Sequence, residues 1–147
     1  MRAVVTRVRE ASVSIDGAVK GEIGAGFLVL LGVAPEDTEA EAVRLADKVC
    51  LCRVFPDAAG KMNLNLASAG GELLVISQFT LYADLKSRRP GFTHAARGEI
   101  AEPLYERFMA ECAARGFHVE SGEFGADMQV SSVNDGPVTL IFDTAAL

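Results

Sequence analysis

Two uninterrupted apolar runs constrain the fold of this chain more than any other feature. The first covers Phe27–Val33, and the second, Leu73–Ile76, lies inside a predicted strand at Glu72–Phe79. A strand with one solvent-facing side alternates apolar and polar residues, whereas a continuous apolar run is typical of a strand covered on both faces. The sequence therefore predicts two central strands that are buried on both sides.

Shorter strands precede and follow this central pair. They are rich in β-branched residues, and a hairpin-turn pair, Asp16-Gly17, joins two of them. The predicted strands are Ala3–Val8, Ser12–Ile15, Val19–Ile23, Met128–Val133 and Val138–Asp143. The last two are joined by Asn134–Pro137, whose residue types favour a turn.

Two further segments have helical periodicity. The first begins at Thr38, where Glu41 completes a capping-box pattern. Its apolar spacing continues to Val54, and Pro56 stops it. The second helix is predicted at Glu99–Arg115, and its apolar residues recur every fourth position as one buried stripe. That stripe consists of Ile100, Leu104, Phe108 and Cys112.

The order of these elements predicts the fold class. Several strands, a helix, a strand, a helix and closing strands indicate a single α/β domain over residues 1–147, with a mixed β-sheet and two main helices against it. A chain of 147 residues is long enough to enclose one hydrophobic core. The sequence contains neither a GxGxxG pattern nor a P-loop, so the common nucleotide-binding folds are not indicated.

The composition also limits the classes of function. No apolar run approaches the roughly 18 residues that cross a membrane. The first ten residues alternate charged and apolar side chains and lack the core of a signal peptide. We therefore expect a cytoplasmic protein that does not associate with membranes.

The charge distribution bears on nucleic-acid binding. The net charge of −6 argues against unspecific binding to nucleic acids, which usually needs a basic surface. One dense basic cluster, formed by Lys86, Arg88 and Arg89, lies in the polar segment Asp84–Arg97. A short basic run is commonly a solvated loop, and contact with RNA phosphates is the functional alternative.

The cysteines do not predict a metal site or a disulfide framework. The chain has three cysteines, Cys50, Cys52 and Cys112, and an odd number argues against a disulfide framework. On a helix, the side chains of Cys50 and Cys52 would point about 200° apart, which is unsuited to a shared metal. Buried free thiols are the ordinary interpretation. The sequence has no HExxH, no CxxC and no histidine cluster, so we expect no metal and no cofactor.

Few residues are suited to acid–base chemistry. The only histidines are His94, in the polar loop, and His118, which we expect at a solvated strand edge. Ser77, Gln78 and Thr80 follow a buried strand, where ligands of sheet enzymes often bind. Serine and threonine also end strands by bonding to their own backbone, so the residue types leave both interpretations open.

Two segments are specific when they occur together: SQFTLYAD at Ser77–Asp84 and NDGPVT at Asn134–Thr139. Further matches stand in the expected order along the chain. They are Val19–Leu31, Gly60–Leu64, Ala101–Phe108 and Gly125–Val130. With these motifs the sequence resembles the D-aminoacyl-tRNA deacylase family, also known as D-tyrosyl-tRNA deacylases, from Met1 to Phe142.

This resemblance implies a barrel-like homodimer whose active sites are shared between the subunits. It implies that the Gly136–Pro137 bond is cis and that each subunit presents these carbonyls to its partner's pocket. The catalytic pocket would be formed by Ser77, Gln78, Phe79 and Thr80, with Met128 on its wall. Arg7 would help to hold the partner's Gly-Pro segment.

The implied reaction is hydrolysis of the ester bond of D-aminoacyl-tRNA, a chiral proofreading step in translation. A backbone N–H group at Phe79 or Thr80 would stabilise the oxyanion, and the 2′-hydroxyl of the terminal adenosine would assist in place of a protein base. The carbonyls of Gly136–Pro137 would exclude L-amino acids. Glycine has no side chain to exclude, so glycyl-tRNA mischarged on tRNA-Ala is a second expected substrate.

Two departures from the family pattern and two alternatives remain. Leu85–Arg89 is one residue shorter than usual, and Gly91 replaces a serine, which puts the tRNA contacts and the rim of the pocket in question. One alternative is a noncatalytic RNA- or protein-binding module that uses Lys86–Arg89. The other is a hydrolase with Thr80 as nucleophile, which would need a nearby base.

Overall fold

The longest strand of the sheet, β1 (Arg2–Ile15), organises the fold. The computed structural model describes residues 1–147. Strand β8 (Gln129–Asp143) pairs antiparallel with β1 along nearly its whole length. A strand has only two edges, so β3 (Gly26–Gly32) and β2 (Ala18–Ile23) share the other edge of β1, with β3 on its first half and β2 on its second half.

The rest of the sheet is parallel and nearly closes into a barrel. Strand β6 (Glu72–Ser77) pairs parallel with β3, and β7 (Val119–Ser121) pairs parallel with β6. The outer strands β7 and β2 then approach each other closely. A Cβ atom built on Gly21 of β2 would lie 2.8 Å from the carbonyl oxygen of Ser121 of β7. The predicted mixed, barrel-like α/β domain is therefore confirmed.

The apolar run in β3 is buried on both faces, as predicted. Phe27, Val29 and Leu31 belong to the larger core between the sheet and the helices. Leu28 belongs to the smaller core inside the barrel, together with Leu74 of β6. This alternation along adjacent residues shows why neither of the two apolar runs contains a polar position.

Two helices cover one face of the sheet. Helix α1 (Glu39–Leu51) starts at the predicted capping box, in which the Thr38 backbone N–H donates to Glu41 Oε2 at 2.6 Å. Hydrogen bonds from the Thr38 side chain and backbone lower the pKa of Glu41. Helix α3 (Gly98–Ala114) packs against α1. No helix of the structure combines the length and the apolar character that a membrane span requires.

Two helix predictions were wrong in detail. Helix α1 ends at Leu51 and does not continue to Val54, whose carbonyl oxygen instead accepts a hydrogen bond from Arg7. Ile100 is 40% exposed, because the buried stripe of α3 begins one position later. The buried residues of α3 are Ala101, Leu104, Tyr105, Phe108 and Cys112.

Several strand boundaries also differ from the prediction. The two strands predicted within β1 form one continuous strand, and so do the two strands predicted within β8. The pairing between β1 and β8 shifts register near the predicted breaks. Strand β6 ends at Ser77, and a 3-10 turn, Phe79–Tyr82, follows it. A small hairpin of β4 (Phe55–Pro56) and β5 (Met62–Leu64) and a four-residue helix α2 (Leu66–Ala69) were not predicted.

Two of the three thiols are buried together between the helices. Cys50 of α1 and Cys112 of α3 lie 3.7 Å apart at their sulfur atoms, and all three cysteines are free. The hydrogen bond from Cys50 and the burial of the site raise the pKa of Cys112. Cys52 is only partly buried, so the prediction of buried thiols is confirmed for two residues and wrong for Cys52.

Candidate functional site

A cavity of about 470 Å³ opens at the carboxyl end of β6. Its floor contains Ser77, Gln78 and Phe79, and its wall contains Met128. The start of α3 and the segment before β8 complete the enclosure. The other lining residues are Leu31, Val33, Ile76, Ala96, Gly98, Ala101, Phe124, Gly125, Ala126, Asp127 and Val130. A single chain therefore brings four of the predicted site residues together.

The 3-10 turn Phe79–Tyr82 is anchored to the sheet at its first residues. The backbone N–H of Gln78 donates to the carbonyl oxygen of Leu31 at 2.8 Å, which extends the pairing of β6 with β3 by one residue. The first N–H groups of a helical turn have no acceptor inside the turn. In this turn they belong to Phe79, which lines the cavity, and to Thr80, which follows it and is not among the lining residues.

Thr80 lies on this turn and is exposed. The side-chain amide of Gln78 donates a hydrogen bond to its hydroxyl oxygen. No histidine or carboxylate forms a hydrogen bond with the Thr80 hydroxyl. The arrangement orients the hydroxyl but supplies no group that would remove its proton.

Met128 occupies the cavity wall because a glycine makes room for it. A Cβ atom built on Gly122 would lie 2.3 Å from the Met128 sulfur atom. The same position also lies 3.4 Å from a methyl group of Val13. Gly122 was not recognised from the sequence, since nothing in its neighbours marks a close packing contact.

Asp127 is the one titratable side chain among the residues that line the cavity. Asp127 was not predicted as a site residue, although it lies next to Met128 in the recognised segment Gly125–Val130. A carboxylate at this place is the only protein group in the cavity wall that is able to accept a proton. Its role is therefore open to a direct test.

The two histidines lie outside the cavity. His94 is exposed in the polar loop, with its Nε2 atom 4.0 Å from Asp84 Oδ2, beyond hydrogen-bond distance. His118 lies just before β7, is more than half exposed and has its Nε2 atom 3.0 Å from Glu120 Oε2. The predicted solvated position of His118 is confirmed. No group of three or more His, Cys, Asp or Glu side chains is placed to hold a metal ion.

Gly136 and Pro137 lie in a bulge of β8 rather than in a turn between two strands. Asp135–Val138 stand opposite the single residue Arg7, because Thr6 pairs with Thr139 and Val8 pairs with Asn134. The Gly136–Pro137 bond is cis. Neither residue lines the cavity of its own chain.

Arg7 fixes the segment that leads into this bulge. Its Nε atom donates to the carbonyl oxygen of Asp135 at 2.9 Å, and Nη1 donates to the carbonyl oxygen of Val54. The side chain is largely buried. Within one chain, Arg7 thus holds the residue immediately before Gly136 and does not contact the cavity.

The basic cluster lies on a closed loop. The backbones of Asp84 and Gly91 exchange hydrogen bonds of 2.7 and 2.9 Å, and Lys86, Arg88 and Arg89 are exposed between them. A Cβ atom on Gly91 would meet only the Asp84 Cβ at 3.8 Å, an ordinary contact. A serine would fit at this position, so Gly91 does not mark a different backbone shape.

The family model described as D-Tyr-tRNA(Tyr) deacylase matches residues 4–143 of the chain. The chain belongs to this family. Among curated relatives, the D-aminoacyl-tRNA deacylase of Lacticaseibacillus casei (strain BL23) is 57% identical over 147 residues, covering 99% of both chains. The D-aminoacyl-tRNA deacylase of Thermus aquaticus is 56% identical over 146 residues, covering 99% of this chain and 96% of the relative.

Two solved structures have the same fold as this deacylase-family chain. One, described as c-Myc DNA Unwinding Element Binding Protein, superposes with a TM-score of 0.92 at 40% identity, over 97% of this chain and 98% of that one. The other, described as a probable eukaryotic D-amino acid tRNA deacylase, has a TM-score of 0.85 at 15% identity, over 96% and 97% of the two chains. The second likeness concerns the fold alone. The family resemblance inferred from the two motifs is confirmed.

Proposed function

We propose that this member of the deacylase family hydrolyses the ester bond between a D-amino acid and the terminal ribose of tRNA. The carrying observation is the cavity at the end of β6, where the first backbone N–H groups of the turn Phe79–Tyr82 adjoin a wall with a single titratable side chain. A site built in this way suits a substrate that brings its own reactive groups. An aminoacyl ester with an adjacent hydroxyl is such a substrate.

The turn Phe79–Tyr82 supports oxyanion stabilisation. Water adds to the carbonyl carbon of the ester, the bond to the ribose oxygen breaks, and free amino acid and tRNA are released. An N–H group of Phe79 or Thr80 stabilises the charge that develops on the carbonyl oxygen, and one such donor is typically worth about 3–4 kcal/mol. The 2′-hydroxyl of the terminal adenosine assists the attack in place of a protein base.

Selection of the D-form requires a group that the single chain does not place in the cavity. We assign this role to the carbonyls of Gly136 and Pro137 from a second copy of the chain, because neither residue lines the cavity of its own chain. An L side chain would be driven against these carbonyls, while a D side chain points outward. Glycine passes this filter, so glycyl-tRNA mischarged on tRNA-Ala is also a substrate.

The outer edge of β8 supports a homodimer. This strand pairs only with β1, so its other edge is free along the strand. Val130, Val133 and Ile141 of the same strand are exposed. Long, unpaired, apolar strand edges are usually covered by another chain, and here the strand also carries Gly136 and Pro137. Arg7 would hold the presented segment through its own subunit's Asp135 rather than by reaching across the interface.

The loop between Asp84 and Gly91 is the proposed contact for the tRNA backbone. Lys86, Arg88 and Arg89 are exposed there, in a chain whose overall charge is −6. A local basic cluster on an acidic protein allows specific placement of phosphates without general affinity for nucleic acid. This binding accompanies catalysis, and family membership favours the hydrolase over a noncatalytic binding module.

A deacylation assay with D-Tyr-tRNA, L-Tyr-tRNA and Gly-tRNA tests the proposal. We expect hydrolysis of the D-tyrosyl and glycyl esters and protection of the L-tyrosyl ester. Equal hydrolysis of both tyrosyl esters would contradict the chiral filter. No hydrolysis of any of them by a correctly folded dimer would contradict the proposed activity itself.

The alternative with Thr80 as nucleophile makes a different prediction. It requires a covalent acyl-threonine intermediate, which mass spectrometry of the enzyme quenched during turnover would detect as an added aminoacyl mass on the peptide that contains Thr80. The hydrogen bond that Thr80 receives from the Gln78 amide disfavours this route, because a donor to the hydroxyl oxygen does not make it more nucleophilic. We expect no such adduct.

A further inference from the structure

Two phenylalanine rings are exposed side by side at the rim of the cavity. The centroids of Phe79 and Phe92 are 4.9 Å apart with an interplanar angle of 71°, an edge-to-face pair. The two residues are 53% and 40% exposed, respectively. Such a pair leaves ring faces open to solvent, and planar ligands stack on such faces.

The two rings lie at different depths relative to the cavity. Phe79 is one of the lining residues, whereas Phe92 is not and therefore stands outside the cavity, against the outer side of Phe79. Phe92 directly follows Gly91, where the loop with the basic cluster closes onto Asp84. The loop backbone is held beyond this point as well, because the Ala95 N–H donates to the carbonyl oxygen of Phe92 at 3.1 Å.

We propose that Phe92 is a stacking platform for the nucleobase that precedes the terminal adenosine of the tRNA. This inference rests on the proposed deacylase function. The ester has to reach the N–H groups of Phe79 and Thr80, which places the terminal nucleoside at the cavity. The preceding nucleotide then lies outside it, beside Phe92, and its chain continues towards the basic loop.

The chemistry of the rim fits a single-stranded RNA end. Proteins bind unpaired nucleotides by combining aromatic faces for the bases with cations for the phosphates. Stacking on an aromatic ring tolerates every base, because each base has a π-face. Phe92 supplies the aromatic face, and Lys86, Arg88 and Arg89 on the adjoining loop supply the cations.

The test uses uncharged tRNA with a fluorescent cytidine analogue at the penultimate position, so that binding is read without catalysis. We expect quenching on binding to the wild-type protein and to Phe92→Tyr, which keeps the ring. Phe92→Leu should lose this quenching. Leu85→Ala, which removes an exposed apolar side chain from the same loop, is the matched control and should behave as wild type.

Kinetics with D-Tyr-tRNA provide an independent readout. Phe92→Leu should raise KM about tenfold, the lower part of the range for a stacked base, and leave kcat unchanged. Quenching that persists in Phe92→Leu would overturn the proposal. A fall in kcat at unchanged KM would also overturn it, because it would show that Phe92 only positions Phe79. Quenching without any hydrolysis by the wild-type protein would instead refute the deacylase function and leave the stacking site standing.

Discussion

The side-chain amide of Gln78 donates a 2.5 Å hydrogen bond to the hydroxyl oxygen of Thr80, two residues further along the chain. Both residues belong to the motif that identified the family, and Gln78 lines the cavity while Thr80 is exposed beside it on the turn. The bond ties the side chains of the turn to each other, while the backbone N–H groups of the turn stay available. This division between side chains and backbone underlies the first prediction.

Thr80→Ala should retain substantial activity, because the proposed mechanism uses the backbone of the turn and not the hydroxyl. The variant leaves the Gln78 amide without its partner, but this group is accessible to water and loses little. Single-turnover deacylation of D-Tyr-tRNA measures the effect. A loss of about a thousandfold in rate, roughly 4 kcal/mol, with an unchanged circular dichroism spectrum, would identify Thr80 as the nucleophile.

Asp127→Asn should also leave most of the activity, since in the proposed mechanism the 2′-hydroxyl of the substrate replaces a protein base. The substitution keeps the shape of the side chain and removes its charge. General base catalysis typically contributes about 10²–10⁴-fold in rate, so a loss in that range, together with a flattened acid limb of the pH–rate profile, would show that Asp127 is the base. Glu123→Gln, an exposed charge change nearby in sequence, serves as the control.

Gly136→Ala should lower kcat/KM for D-Tyr-tRNA by about tenfold or more. A Cβ atom at this position would lie 2.2 Å from the backbone nitrogen of Val138, so the bulge of β8 has to change shape. The bulge is exposed, so we expect the chain to fold. Gly24→Ala is a control for general effects of losing a glycine, because its backbone is not left-handed and a Cβ atom there meets only the Glu72 side-chain oxygen at 3.5 Å, an ordinary contact. Wild-type kinetics for Gly136→Ala would argue against any role of this segment in the site.

The protein should be a dimer that forms along β8. Ile141 is 77% exposed on this strand, and Ile141→Asp should weaken association and activity together. Val19→Asp changes an equally apolar, exposed residue on β2 and should leave both unchanged. Light scattering decides the outcome: an active wild-type species of 15.6 kDa, the mass of one chain, would exclude the shared site.

Mixing two impaired variants provides a second test of the shared site. Gly136→Ala damages the presented segment, and Ser77→Phe would fill the cavity floor. If each site combines the cavity of one chain with the Gly-Pro segment of the other, subunit exchange produces one intact site in every mixed dimer. Partial recovery of activity is the expected result, and its absence despite proven exchange would place both elements in the same chain.

Asp143→Asn should reduce the free energy of unfolding by no more than about 1 kcal/mol, because the ion pair that it breaks is partly exposed. Burial is the largest single influence and raises the pKa of Asp143, but the 2.9 Å hydrogen bond from Arg2 Nε, the backbone N–H of Ala145 and the nearby positive charges together outweigh it and lower the pKa from 3.8. A lowered pKa in the folded state means that the stabilisation is present above about pH 4 and is lost as the pH falls through the folded-state pKa. Urea unfolding at pH 7 and pH 3 should show a larger difference between variant and wild type at pH 7 than at pH 3.

The sequence predicts the parts of this fold that depend on burial patterns. The apolar run in β3 led to the correct strand because burial on both faces leaves no polar position. The start of α1 was predictable because Thr38 and Glu41 interact within one turn. The end of α1 was not, since Val54 leaves the helix to bond with Arg7, which is distant in sequence.

The site was predicted by motif rather than by residue chemistry. Ser77 and Gln78 are ordinary residues for the end of a strand, and only their combination with Asn134–Thr139 indicated a function. Asp127 and Gly122 were missed, because the first looks like any exposed acid and the second like any loop glycine. Asp127 is significant because it lines the cavity and Gly122 because it packs against Met128, and both relationships require the tertiary structure.

The free edge of β8 has a consequence for how the protein behaves during synthesis. An exposed, apolar strand edge is a hazard for aggregation as long as the chain is alone. The same strand carries the Gly136–Pro137 segment, so the event that covers the edge is the event that completes the proposed site. A newly made chain would thus lack the proposed chiral filter until it has found its partner, and substitutions that improve solubility by adding charge to this edge would do so at the expense of chiral selection.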